Sequence, residues 1–182
     1  MRNIGSAHNR GRIVFVLLAG LFLAACQTAG LKPGALTTTF PPKGWSSQKV
    51  GSVTTYECPK ATCGQRQTVL VKPGKVHGDV ESAIRRGKLN TELLASFLKF
   101  VHVATDKKVS FSATRRITTP TYSGFQFVVT TRNRRGKRFY MATRIVAQNN
   151  RGVQVQSFAH SRALAVRNLE RYFANTRIRR VN

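Results

Sequence analysis

Acid–base catalysis needs carboxyl groups at defined spacing, and the chain has six acidic residues: Glu57, Asp79, Glu81, Glu92, Asp106 and Glu170. No two of them form a convincing pair, and Asp79 and Glu81 flank a helix start, where capping explains them better. His77, His102 and His160 are dispersed and suggest no zinc site, and His102 falls inside an apolar helical stretch, where it reads as a core or edge histidine. There is no H-E-x-x-H, G-x-S-x-G or phosphate-cradling glycine loop. The expectation is a non-enzymatic protein without metal or cofactor.

Cations dominate instead. The 182 residues carry 31 Lys and Arg against 6 Asp and Glu, a formal charge of +25. Arg is the commoner cation, and its planar fork matches phosphate and carboxylate. The charge is spread along the chain and bears on partners rather than on fold.

The first 25 residues form a separate unit. A basic head with Arg2, Arg10 and Arg12 precedes IVFVLLAGLFLAA, an uncharged run that ends at Ala25. A membrane span needs roughly 20 apolar residues, so this shorter run with its basic head reads as an export signal, residues 1–25. Leu23-Ala24-Ala25-Cys26 at its end resembles the lipobox of bacterial lipoproteins. That resemblance implies cleavage before Cys26 and a lipidated, acylated Cys26 as the new amino terminus, since stable anchoring takes more than one acyl chain. Gln27, where inner-membrane retention signals usually have Asp, implies anchoring in the outer membrane on its periplasmic side, with the inner membrane as the other site. An exported protein meets an oxidising compartment, so Cys58 and Cys63 are expected to pair as a structural disulfide.

The remaining chain divides into a tether at 26–39, a single basic domain at 40–176 and a basic tail at 177–182. Val50–Tyr56 and Arg66–Val71 read as strands around the cysteine turn, with Lys72-Pro73-Gly74 ending the second. Asp79 caps a helix at 80–86 and Asn90 one from Thr91 to about Ala104. Leu93, Leu94, Phe97, Leu98, Phe100, Val101 and Val103 make the latter apolar around most of its circumference and predict its burial. Ser161 caps a last helix that ends near Asn175.

Two turn signals, Asn133-Arg134-Arg135-Gly136 and Asn149-Asn150-Arg151-Gly152, organise the strands between 109 and 160. Read as three-residue hairpins with a left-handed glycine, they pair 129 with 141, 127 with 143, 147 with 155 and 145 with 157. Phe125, Phe127, Val129, Met141, Ile145, Val153 and Val155 then share one face. The other face gathers Gln126, Arg132, Arg138, Tyr140, Arg144, Phe158 and His160, with Arg144 between Gln126 and Phe158. It is either a water-facing sheet surface or a shallow recognition surface. Its candidate binding residues are Arg132, Arg138, Tyr140, Arg144 and His160.

The expected fold is α+β, an antiparallel sheet of about five to six strands with helices packed on it. This element order and the opening Phe40-Pro41-Pro42-Lys43-Gly44-Trp45 resemble the PsbP, Mog and DcrB group of α/β/α sandwiches, which includes lipidated bacterial members. The expected function is that of a membrane-anchored lipoprotein whose basic domain binds lipopolysaccharide, peptidoglycan or an acidic protein. Nucleic acid is disfavoured because export removes the chain from the cytoplasm. The alternatives are an accessory subunit of a secretion or polysaccharide-export machine and an envelope hydrolase.

Overall fold

The computed structural model describes residues 30–105, 108–132 and 136–181. The export signal and Cys26 lie outside the described residues. The strands are β1 (Leu36–Thr38), β2 (Ser46–Val50), β3 (Val53–Cys58), β4 (Gln67–Lys75), β5 (Ser110–Thr118), β6 (Ser123–Arg132), β7 (Arg138–Gln148), β8 (Arg151–Ala159) and β9 (Thr176–Ile178). The helices are α1 (Lys60–Cys63), α2 (Val80–Arg85), α3 (Thr91–Ala104) and α4 (Arg162–Ala174). Seven strands form one antiparallel sheet in the order β2-β3-β4-β8-β7-β6-β5, while β1 and β9 pair separately. The class is the expected α+β, with a larger sheet. The segment Val50–Tyr56 is a hairpin turn followed by a strand, and β4 runs on through Pro73 and Gly74 to Lys75.

The helix starts follow local chemistry. Asp79, Asn90 and Ser161 each accept a hydrogen bond from the amide three residues on, which satisfies one of the donors every helix start leaves unpaired. Cys58 and Cys63 are disulfide-bonded across α1.

Helices cover both faces of the central strands. α4 buries Leu164, Ala165, Leu169 and Tyr172 against Val128, Ala142, Val155 and Ala159. At roughly 1.5–3 kcal/mol per fully buried large side chain, this is the principal core. The Phe40-to-Trp45 motif supplies its edge, with the Phe40 ring 5.1–5.5 Å from the rings of Trp45, Tyr56 and Tyr172. On the opposite face, Ile84 of α2 packs on Phe125 and Ala147, and Leu98 of α3 packs on Phe127 and Val129.

Three expectations need correction. Leu98 is the only buried residue of α3, while Leu93, Phe97, Phe100 and Val103 are each more than half exposed. The helix lies against β5 and the neighbouring part of the sheet, so a single stripe of it finds a partner. The segment expected as a tether is part of the fold from Gly30 onward: Ala35 is fully buried, and Leu36, Thr37 and Thr38 pair with Ile178, Arg177 and Thr176. The expected basic tail is the other half of that ribbon, and Arg179 donates its amide to the Ala35 carbonyl.

The third correction concerns register. β6 and β7 pair as read, with Phe127 opposite Thr143 and Val129 opposite Met141. β7 and β8 do not: Gln148 faces Arg151, Arg144 faces Val155 and Met141 faces Phe158. Asn149 and Asn150 both have positive φ, 48° and 59°, and so make a two-residue turn of the kind that suits the twist of a hairpin. Gly152 is not the left-handed residue. It faces Gly74 across the β4–β8 ladder, and a Cβ there would lie 2.5 Å from the Val76 side chain.

Candidate anion-binding cleft

The strands define two ends of the sheet. The near end holds Lys75, Gln148, Arg151 and the Gly51-Ser52 turn, and the far end holds Ser46, Arg132, Arg138 and Ala159. Arg138 and Gln148 bound an eleven-residue strand, which at the usual rise per residue separates the ends by about 33 Å.

At the far end, β5, β6, β7 and the start of α4 enclose a cleft of about 470 Å³ lined by Lys108, Ser110, Ser112, Thr130, Thr131, Arg132, Arg138, Tyr140 and Arg162. Arg132 and Arg138 stand opposite each other on adjacent strands, as do Thr130 and Tyr140. The Arg132 guanidinium donates to the Gly136 carbonyl at 2.9 Å, which holds the side chain at the rim. Cations, hydroxyls and no carboxylate among the described lining residues make a pocket of hydrogen-bond donors suited to an oxyanion. Five of the nine lining residues bear hydroxyl groups, so a bound oxygen-rich group would meet directional partners as well as charge.

Of the sequence candidates, Arg132, Arg138 and Tyr140 come together here. Arg144 does not join them. Only 5% exposed, it lies beneath α4, where its guanidinium donates to Gln126 Oε1 at 2.6 and 2.8 Å and to Glu170 Oε2 at 2.7 Å, and sits 3.9 Å from the centre of the Phe173 ring. The face read as open to water or to a ligand is thus closed at this point by a helix. His160 is exposed on the other side of the sheet, with its ring edge-on to Phe139, which stacks on Phe158. His102 is part-buried, and its Nδ1 meets the Val109 carbonyl.

Two acids do structural work that spacing did not reveal. Glu170 also accepts from Gln126 Nε2 at 2.9 Å and from Arg115 at 3.0 Å. Glu81, 5% exposed, accepts from the Asn149 amide, from Arg85 and from Arg180, joining α2, the β7–β8 turn and the C-terminal segment. Burial alone would raise both carboxyls. For Glu81 the Asn149 amide with Arg85 and Arg180, and for Glu170 Gln126 with Arg144 and Arg115, outweigh it and hold both below the ordinary glutamate value. A sequence signal exists for Glu170, the only acid in an arginine-rich helix, whereas Glu81 looked like part of a cap.

No protein-family model matches the sequence, and no curated protein matches it. Among solved structures, the chain is similar to PsbP of the cyanobacterium Synechocystis sp. PCC 6803, with a TM-score of 0.50 over 82% of this chain and 89% of that one, at 10% identity. It is also similar to LpqN of Mycobacterium tuberculosis, described as involved in cell envelope biogenesis, with a TM-score of 0.48, 14% identity, and 81% and 86% of the two chains covered. A third similar structure, from Bacteroides thetaiotaomicron VPI-5482, has a TM-score of 0.47 at 9% identity. There, 80% of this chain is covered but only 46% of that one, so this chain spans less than half its length. The likeness to PsbP is one of fold, in keeping with the resemblance carried by the element order.

Proposed function

We propose that the protein is a non-enzymatic lipoprotein of the bacterial envelope, anchored through Cys26 in the outer membrane, whose periplasmic domain binds an anionic envelope component in the far-end cleft. The observation that carries this reading is the convergence of Arg132, Arg138 and Arg162 on a hydroxyl-lined cleft without a carboxylate among its described lining residues. Phosphates of lipopolysaccharide and carboxylates of peptidoglycan both have the chemistry these donors recognise.

The test is retention of the mature chain carrying Cys26→Ser on immobilised lipopolysaccharide and on isolated peptidoglycan across a salt gradient. Retention on one of them that falls with salt, and falls further with Arg132→Ala and Arg138→Ala, is the expected result. Equal retention on neutral and anionic envelope fractions would contradict it.

A second reading, an accessory subunit of an envelope machine, is favoured by the exposed apolar residues of α3, because a protein partner buries such a surface and a polyanion does not use it. Crosslinking in cells through α3 should then yield one discrete protein partner. Lipid or glycan adducts alone would count against it.

A further inference from the structure

The near end of the sheet is where the described chain comes closest in sequence to Cys26. Gly30 is the first described residue, and it packs there: its amide points to the Gly74 carbonyl at 3.4 Å, and its Cβ position lies 3.2 Å from the Pro73 side chain. Only three residues lie between Cys26 and Gly30, and the four steps from one Cα to the other reach at most about 14 Å even when fully extended. The sheet is more than twice as long as that reach. An anchor at Cys26 therefore has to draw the near end toward the bilayer, and the far-end cleft stands away from it.

The near end has the composition such contact needs. Lys49, Lys75 and Arg179 are exposed there, and Lys32 and Arg151 are half-buried beside them. Asp79 is an exposed acid at this end, 3.9 Å from Arg86, while Glu81 is buried among Arg85 and Arg180. At the tip of the β2–β3 hairpin Val50 is 68% exposed, an apolar side chain placed to enter a headgroup layer.

We propose that this basic end seats on anionic lipid headgroups of the bilayer that holds the Cys26 acyl chains, so that the cleft receives its anion from outside that leaflet. The inference rests on the proposed lipidation of Cys26. Lipid headgroups are favoured over a soluble polyanion because the short leash keeps this end at the surface whether or not any other ligand is present.

The experiment uses the full chain with its leader in a Gram-negative host. A photoreactive side chain is placed in turn at Ser52 and His77 of the near end and at Ser46 and Ser161 of the far end. Mass measurement of the amino-terminal peptide reports acylation of Cys26, and phospholipid adducts report which end meets the bilayer. Acylated protein with adducts at least ten-fold more abundant at Ser52 and His77 is the expected result. Lys49→Glu and Lys75→Glu should each lower them at least about five-fold, since losing one basic residue at an anionic surface already has that effect. Acylated protein with equal adducts at both ends, or adducts indifferent to the charge reversals, overturns the inference and leaves the anchor standing. An unacylated Cys26 overturns both.

Discussion

At the near end of the sheet Arg85 and Arg180 close on the Glu81 carboxylate, whereas at the far end Arg132, Arg138 and Arg162 face a cleft with no carboxylate among its described residues. Arg144 lies between the two ends and follows the first pattern, matched by Glu170 beneath α4. In a chain with 31 basic and 6 acidic residues, a carboxylate is the scarce component. Where one is placed, the arginines around it serve the fold, and where none is placed among the described residues the arginines line a cleft.

That contrast is broken first at Arg144. Arg144→Ala removes a buried cation from Glu170 and Gln126 and its packing on Phe173, and should cost about 3 kcal/mol in chemical denaturation. A loss under about 1 kcal/mol would mean that the network under α4 is not structural. Glu81→Gln comes next, at about 2 kcal/mol, because it leaves Arg85 and Arg180 facing a neutral amide in a largely buried site. The C-terminal segment should also loosen, visible as faster amide exchange at Arg179 and Arg180.

Acid titration sharpens the same point. Glu81 and Glu170 have folded values below their unfolded one of about 4.3, so their contribution is complete above that pH and is lost as pH falls through the folded values. Denaturation followed from pH 6 to pH 3 should show that loss, and Glu81→Gln should flatten the curve. The smallest stability effect belongs to the cleft. Arg132→Ala with Arg138→Ala should change stability by no more than about 0.5 kcal/mol while weakening retention on the anionic fraction. A large loss of stability there would move these arginines into the structural class.

Much of this is legible in the sequence. Caps at Asp79, Asn90 and Ser161 have local causes, and so do the helices they start. The β6–β7 register followed from a turn whose Gly136 does take positive φ, 72°. The next hairpin has nearly the same letters, yet Asn149 and Asn150 supply the left-handed residues themselves. Gly152 is glycine for a different reason, the close approach of β4 and Val76. That distinction depends on a strand more than seventy residues away and reverses which side chains of β8 face α4. The burial of Arg144 was hidden for a related reason: alternation shows that residues share a face but not whether a distant helix covers it. The cleft was legible in part, through Arg132, Arg138 and Tyr140, but Arg162 and Lys108 reach it only through tertiary packing.

The β1–β9 ribbon gives the carboxyl terminus a mechanical task at the opposite end of the chain. Thr176 to Ile178 hold residues 36–38 against the body of the domain, and the Arg179 amide holds Ala35. Deleting everything from Thr176 onward would release the segment down to Thr39 and lengthen the stretch between Cys26 and the body of the domain from three residues to about thirteen, roughly 45 Å when extended. If Cys26 is lipidated as proposed, residues 176–179 would act as a clutch: engaged, they would transmit the orientation of the anchor to the domain, and disengaged, they would leave it to swivel.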